Sequence, residues 1–381
     1  MKFHIAVCGM GWLFAALISG CGKDVASPVG AQLYQRSNPG SEMSVVLTAT
    51  SEDTSYQAPV SCGTGQYLFA GSDKGLESKI LVVFDSTNFS GSLIRAELSF
   101  STSLFGASNS GTVTLSIYKT GIEWTEGRLS WSDVDPQKLE GPIASVEVSA
   151  SDTTSVSVEI PNEIAKTLLQ SDSSGTKTGL CITVSPGCIL RTWSREYSTT
   201  SFVVPNVTVY TETDTVSAWP ARDGFVAMMD RLPDAGRLYI QNGVSWRSLL
   251  FFDFPDIPSE ATINRALLVL HSDPEEAVSA SDSIFNYIIY PLADGPLDIS
   301  NVATDSTIYA TAVFQGDSSS AATTSIIQKL VSNRQRKCGL ILSGLLETMD
   351  LSGRAVFSSS AGSSLTPRLE IFYSLPPSEP Y

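Results

Sequence analysis

A serine or cysteine nucleophile needs a base beside it, and beyond residue 20 the chain holds a single histidine, His271, followed by Ser272-Asp273. No nucleophile-elbow motif accompanies it, so His271 reads as a surface residue at a strand end, and no catalytic residue is assigned. A glycan-cleaving enzyme would instead need paired carboxylates. Glu123 and Glu126, on either side of Trp124, are the best such pair. Trp124 and Trp131 could stack against a sugar ring, the competing role being that of aromatic plugs in a β-sandwich core. Arg195 and Glu196 read as an ion pair joining strands. The acidic turns Ser72-Asp73, Ser151-Asp152 and Asp317 carry the residue type for a structural calcium, but without the ordered ligand spacing of a calcium loop. No cofactor is otherwise implied.

Four cysteines lie well inside the chain: Cys62, Cys181, Cys188 and Cys338. There is no CxxC pair, and one histidine is too few for a zinc site of the usual kind. Thiols, or one disulfide, are the simpler reading. Cys181 and Cys188 flank the turn signal Ser185-Pro186-Gly187 and could face each other across a hairpin as a disulfide, free thiols being the alternative.

A fifth cysteine, Cys21, stands in a context that specifies a reaction. Lys2 opens the chain, Ile5 to Ile18 form an apolar stretch, and Ser19-Gly20 precede the cysteine. This looks like a bacterial lipoprotein signal peptide with its lipobox, Leu17-Ile-Ser-Gly-Cys21. The implied chemistry is diacylation of the Cys21 thiol, cleavage on its amino side and retention at a membrane through the lipid. A transmembrane anchor is the alternative, but the stretch is interrupted by Gly9 and Gly11 and falls short of the ~20 apolar residues a spanning helix needs. Gly22 stands where aspartate marks inner-membrane retention in enteric bacteria, which points to the outer membrane of the cell envelope.

With residues 1–20 removed, 361 of the 381 residues remain, and 23 basic residues face 39 acidic ones, a net of −16. That balance disfavours nucleic acid and anionic lipid as partners. Residues 21–43 carry the lipidated cysteine and a Gly/Ser/Pro/Asn-rich tether. From about Ser44 the dominant period is two. Ile94, Ala96, Leu98 and Phe100 alternate with polar residues, as do Val113, Leu115 and Ile117, and Val156, Val158 and Ile160. Such alternation predicts antiparallel sheets with one buried face. Two short helices are predicted, one after Pro161 through Ile164, Leu168 and Leu169, the other through Ile326, Ile327, Leu330 and Val331.

An internal repeat orders these elements. Lys79–Asp85 matches Arg247–Asp253 at a shift of 168, pairing Phe84-Asp85 with Phe252-Asp253. Arg95-Ala-Glu-Leu matches Arg265-Ala-Leu-Leu, Gly179-Leu-Cys-Ile matches Gly339-Leu-Ile-Leu, and Pro205–Tyr210 matches Pro367–Phe372. The expected organisation is therefore all-β: two tandem jelly-roll sandwiches, 44–213 and 214–376, each with one short helix. Trp219, Trp246, Phe225 and Met228-Met229, near the junction, are expected to pack one domain on the other, an exposed binding patch being the alternative.

The first copy resembles the DNRLRE family of jelly-roll modules, some of whose relatives are classed as carbohydrate-binding module family 96. The resemblance rests on Leu68-Phe-Ala-Gly71, Phe84-Asp85, Trp124-Thr-Glu126 with Trp131, Ser194-Arg195-Glu196 and the Pro205–Tyr210 ending. The second copy keeps the frame but has Ser358-Ser359-Ser360 in place of Ser-Arg-Glu. The family implies the fold more strongly than a ligand. The functional expectation is a non-catalytic envelope lipoprotein that binds polysaccharide or a surface protein. A structural subunit of an envelope assembly is the alternative, and a carboxylate-based polysaccharide enzyme comes third.

Overall fold

A computed structural model describes residues 42–376, apart from 51, 59–61, 63, 106–110, 150–153, 171–176, 198–202, 230–235, 256, 278–283, 352 and 360–361. Cys21, tether residues 22–41 and the Ser151-Asp152 turn lie outside the described residues, while Glu42 and Met43, expected in the tether, open the first strand and pair with Ser374 and Tyr373. The rest is all-β, with two curled antiparallel sheets forming two sandwich-like halves. Strands β1 (Glu42–Thr48) and β2 (Thr54–Gln57) lead the chain. The first repeat runs β3 (Tyr67–Asp73), β4 (Leu76–Phe84), β5 (Leu93–Phe105), β6 (Thr112–Thr120), β7 (Leu139–Ser149), β8 (Thr154–Ile160), helix α1 (Asn162–Leu169), β9 (Gly179–Val184), β10 (Cys188–Trp193) and β11 (Asn206–Thr211). After β12 (Thr215–Ala218) and β13 (Pro220–Met229) the pattern recurs. It runs β14 (Arg237–Gln241), β15 (Trp246–Asp253), β16 (Thr262–His271), β17 (Ile284–Pro291), β18 (Ala310–Gln315), β19 (Ser318–Ala322), helix α2 (Thr324–Ser332), β20 (Lys337–Gly344), β21 (Arg354–Ser358) and β22 (Arg368–Ser374).

The predicted alternation is realised in side-chain burial. Ala96, Leu98 and Phe100 of β5, and Val113, Leu115 and Ile117 of β6, enter one core. Ile94 opens the β5 series yet stands 62% exposed, because the register against β11 shifts there: Arg95 lies opposite Tyr210 and Leu93 opposite Thr211, which leaves Ile94 as the extra residue while Leu93 packs on the core. Each helix lays its apolar stripe on the sandwich: Ala165, Leu168 and Leu169 in α1, and Ile326, Ile327, Leu330 and Val331 in α2. The runs Ile80–Phe84 and Leu249–Phe252 do not alternate because both of their faces are covered. Ile80, Val82 and Phe84 face the main core, while Leu81 and Val83 face a smaller outer cluster with Ile122, Trp124 and Val226. In the second half Leu250 and Phe252 point in, and Leu249 and Phe251 face Tyr56 and Ile341 outside.

The connectivity departs from two self-contained tandem domains. The first-repeat sheet runs β12-β11-β5-β10-β3-β4-β9-β6-β7, with β13 on β4 and β8 on β5. The second runs β1-β22-β16-β19-β18-β17-β20-β15-β14-β21, with β2 on β15. Thus β1 and β2, which precede the first repeat, complete the second half, and β13, which precedes the second repeat, completes the first. The registers are equivalent: Gln57 lies opposite Trp246 and Thr54 opposite Leu249, while Ala227 lies opposite Ser78 and Gly224 opposite Leu81. A boundary at 213/214 therefore cuts the chain where it does not divide the sheets. The two halves exchange their leading strands.

This exchange explains the junction residues. Phe225 is fully buried in the first-half core, with Phe69 edge-on at 5.1 Å. Trp246, 8% exposed, joins the same cluster with Tyr239, Val244 and Leu351, so the core continues across the seam. Trp219, at 53% exposure, does not pack inside. Arg354, nearly buried at the seam, donates to Gln241 Oε1 at 2.7 Å and to the Lys74 carbonyl at 3.0 Å.

Candidate functional site

Ser194 sets the geometry of a cluster of charged side chains, Arg195, Glu196, Glu126 and Asp223. Its buried hydroxyl donates to the Gly65 carbonyl at 2.6 Å and accepts from the Glu196 N–H at 3.2 Å. The chain turns sharply just after β10, and a serine is needed for that double role. The turn presents the Arg195 N–H to Asp223 Oδ2 at 2.9 Å. Arg195 reaches Glu196 at 3.2 Å and Glu126 at 3.9 Å. Glu126 in turn accepts from the Asp223 N–H at 3.3 Å. The Trp-Thr-Glu and Ser-Arg-Glu segments, read separately in the sequence, thus converge on one exchanged strand, β13.

Asp223 has no exposed surface. Burial lifts its carboxyl from 3.8 to about 7, opposed by the hydrogen bond from Arg195 and reinforced by Glu196 and Glu126. One carboxylate oxygen each of Glu126, Glu196 and Asp223 lies within 4.8 Å of the other two. A sealed acid of this kind does not touch a substrate, so the chemistry open to the cluster is to hold a proton or a cation. Glu123, expected to pair with Glu126, is exposed on the other side of Trp124 and outside this group.

The two tryptophans have different roles. Trp124 is 7% exposed and packed with Leu81, Val83, Leu129 and Val134, and the Arg222 guanidinium stands 5.4 Å from its ring centre. It is a core plug and offers no face to a sugar. Trp131, half-buried, has the Lys79 ammonium 4.2 Å from its ring centre. It also lines a cleft of about 450 Å³ at the seam, together with Gln57, Ser130, Ser132, Ser300 and Val244. Ser130 is fixed there by Asp133, which accepts from its N–H and its hydroxyl at 2.8 Å.

The other expected residues are structural or dispersed. Phe84 and Phe252 are fully buried, and the following Asp85 and Asp253 are exposed at strand ends. Gly71, of the Leu-Phe-Ala-Gly run, has φ +132°, and a side chain there would meet the Cys188 carbonyl. His271 lies opposite Ser318 at the end of β16. Asp73 and Asp317 do not join a multi-carboxylate group among the described residues.

The expected cysteine hairpin is corrected. Cys181 and Cys188 are free, buried thiols on β9 and β10, strands that β3 and β4 separate in the sheet. The Ser185-Pro-Gly turn does form, but it hydrogen-bonds to Thr114 and Ser72 and carries the chain away from β9 instead of folding it back. Burial pushes the Cys62 and Cys181 thiols up to about 12 and raises those of Cys188 and Cys338.

In the second half, the position of Ser-Arg-Glu is a plain strand end at Ser358, and the charged pair lies elsewhere. Arg247 grips Glu347 through Nε at 3.0 Å and Nη2 at 2.7 Å. Among the described residues, a cluster of three carboxylates occurs in the first half and not in the second. Its least visible member is Asp223, which sits in no motif. The signal that could have found it is its repeat equivalence to Asp53, 170 residues earlier.

No protein-family model matches the chain, and no curated protein matches it. Among solved structures, it is compared with "Structure of the Macrobrachium rosenbergii Nodavirus", with 8% identity and a TM-score of 0.14 over 90% of this chain and 98% of that one. Likeness at that level carries no argument.

Proposed function

We propose that the chain is a non-catalytic lipoprotein of the outer membrane, related to DNRLRE modules, that binds polysaccharide in the cleft beside Trp131. The observation that carries this reading is the composition of the cleft: one half-buried indole next to the amide of Gln57 and the hydroxyls of Ser130, Ser132 and Ser300. An apolar wall with hydrogen-bonding groups at its edge suits the ring face and hydroxyl rim of a sugar. The lipobox supplies the address, and the net negative charge directs the protein toward neutral or basic glycans. A glycan array probed with the chain from Cys21 onward tests it, with binding expected to a neutral or amino-sugar polymer. A blank array would remove the polysaccharide reading.

One observation favours a structural role with a protein partner. Leu345, Leu346 and Met349 stand 46%, 40% and 46% exposed between β20 and β21. An apolar group on that loop suits docking to another envelope protein. Crosslinking in intact cells followed by affinity purification separates the two readings, because a stoichiometric protein partner captured through this loop would favour the second.

A further inference from the structure

Glu126, Glu196 and Asp223 reach one point from three separate stretches of chain: the loop between β6 and β7, the turn after β10, and the exchanged strand β13. Their nearest carboxylate oxygens lie within 4.8 Å of one another, the spacing of oxygens sharing one ion at 2.3–2.6 Å. Acidic groups gather on many surfaces, and proximity alone would say little. The informative atom is Asp223 Oδ1. The residue is fully buried, its Oδ2 accepts from the Arg195 N–H, and Oδ1 has no hydrogen-bond partner among the described residues. Glu196 Oε2 is likewise buried and without a partner. Sealed carboxylate oxygens with empty lone pairs are costly, and folded proteins normally fill them. Arg195 engages the group through Glu196 and Glu126, and with all three carboxyls ionised one guanidinium leaves two negative charges unbalanced. Arg222, the next basic side chain, lies over Trp124.

We propose that Glu126, Glu196 and Asp223 form a binding site for one hard divalent cation of the calcium class. All three donors are oxygen, which selects against zinc and copper. Glu126 and Glu196 are 26% and 29% exposed, so water can complete a coordination shell larger than three. The ion ties the loop bearing Trp124 and Trp131 to the Ser194 turn and to β13, and so fastens the first half to the strand it receives from beyond its own repeat. Asp53, at the equivalent place in the second half, is a built-in comparison. It also has a buried oxygen without a partner, but its charged neighbours are Glu52 and Lys337, and among the described residues it joins no group of three carboxylates. The proposal does not depend on polysaccharide binding.

The test is terbium luminescence, excited through tryptophan, on the whole chain from Cys21, followed by calcium competition and by thermal unfolding in calcium or chelator. Trp124 lies two residues from Glu126 and is placed to sensitise a bound terbium. The expected result is one saturable site per chain, displaced by calcium, with an unfolding temperature raised by calcium. Glu126→Gln and Glu196→Gln, both partly exposed and isosteric, should each weaken terbium at least roughly tenfold. Asp53→Asn and Asp317→Asn should leave it unchanged. Absence of saturable emission from the unsubstituted protein, or undiminished binding in the Glu126→Gln/Glu196→Gln double variant, would overturn the proposal. Calorimetric titration of the unsubstituted protein with calcium tests the site without any variant: one bound ion per chain supports it, and no saturable heat overturns it.

Discussion

Asp53 and Asp223, 170 residues apart, occupy one position on two exchanged strands. Asp223 lies opposite Val82. Asp53 immediately precedes Thr54, which lies opposite Leu249, so it stands beside Leu250, the repeat counterpart of Val82. Burial lifts both carboxyls to about 7. Each accepts one backbone N–H, from Phe251 at 2.6 Å for Asp53 and from Arg195 for Asp223. The shared position ties the exchange to the repeat: each repeat sends its own leading strand, with its own buried aspartate, to the other half.

Asp53 makes stability depend on pH in a stated direction. Burial is the main cause of its raised pKa and Glu52 adds to it, while the Phe251 N–H and Lys337 oppose it. The folded protein therefore holds the proton more tightly than the unfolded chain. The stabilisation is complete below the unfolded value of 3.8 and is lost as pH rises to about 7, with no further loss from this group above that. Unfolding temperature, measured in chelator, should fall from about pH 4.5 to about pH 7.5 and then level off. Asp53→Asn, neutral at every pH, should flatten part of that slope. An unchanged slope in Asp53→Asn would show that the carboxyl does not titrate in this window.

Strand exchange assigns Phe225 to the first half although it lies beyond the first repeat. Phe225→Ala removes a fully buried ring from contact with Phe69 and should cost about 3–5 kcal/mol. Amide hydrogen exchange locates the damage. Protection should drop first in β3 and β4 and persist in β16 and β22. The reverse pattern would mean that β13 stabilises the half that follows it.

Much of the fold was legible in the sequence, for a local reason. A sandwich strand with one wet face must alternate, as Val113, Leu115 and Ile117 do, and a capping helix must carry its stripe, as Ile326, Ile327 and Leu330 do. The exchange was not legible, because strands with the same pattern make equivalent contacts whichever half receives them. Gln57 against Trp246 and Ala227 against Ser78 satisfy one register. The charged cluster was legible in part. Glu126, Arg195 and Glu196 were singled out, but their meeting point is Asp223, on a strand whose destination no periodicity reveals. Of the two readings of the cysteines, thiols or one disulfide, the structure has the thiols, because a turn signal at Pro186-Gly187 says that the chain bends, not that it returns to the same strand.

The two tryptophans separate binding from stability. Trp124→Ala empties a buried site among Leu81, Val83 and Val134 and should lower stability by about 3 kcal/mol. Trp131→Ala removes a half-buried ring at the cleft. It should leave the unfolding temperature nearly unchanged while weakening polysaccharide binding roughly tenfold, the equivalent of about 1.4 kcal/mol of lost stacking. Equal binding by Trp131→Ala and the unsubstituted protein would place any glycan contact away from this cleft.

Lipidation should track one cysteine. Acylation needs a thiol that an enzyme can reach, and Cys62, Cys181, Cys188 and Cys338 are all buried, with thiols raised by burial. In cells fed an alkyne-bearing fatty acid, the chain should carry the label and fractionate with membranes. Cys21→Ala should lose the label and keep the uncleaved segment 1–20, detectable as a mass increase over the processed chain. A Cys181→Ser/Cys188→Ser variant should retain full label. The attachment point has a structural consequence too. Because β1 pairs with β22, residues leading down from Cys21 join the sandwich on the second half. Limited proteolysis on membranes should then leave the second-half sheet with the lipid, even after cleavage between Asp53 and the first repeat, since β1 remains hydrogen-bonded along Glu42–Thr48. Release of the second half under those conditions would show that the exchanged strand does not anchor it.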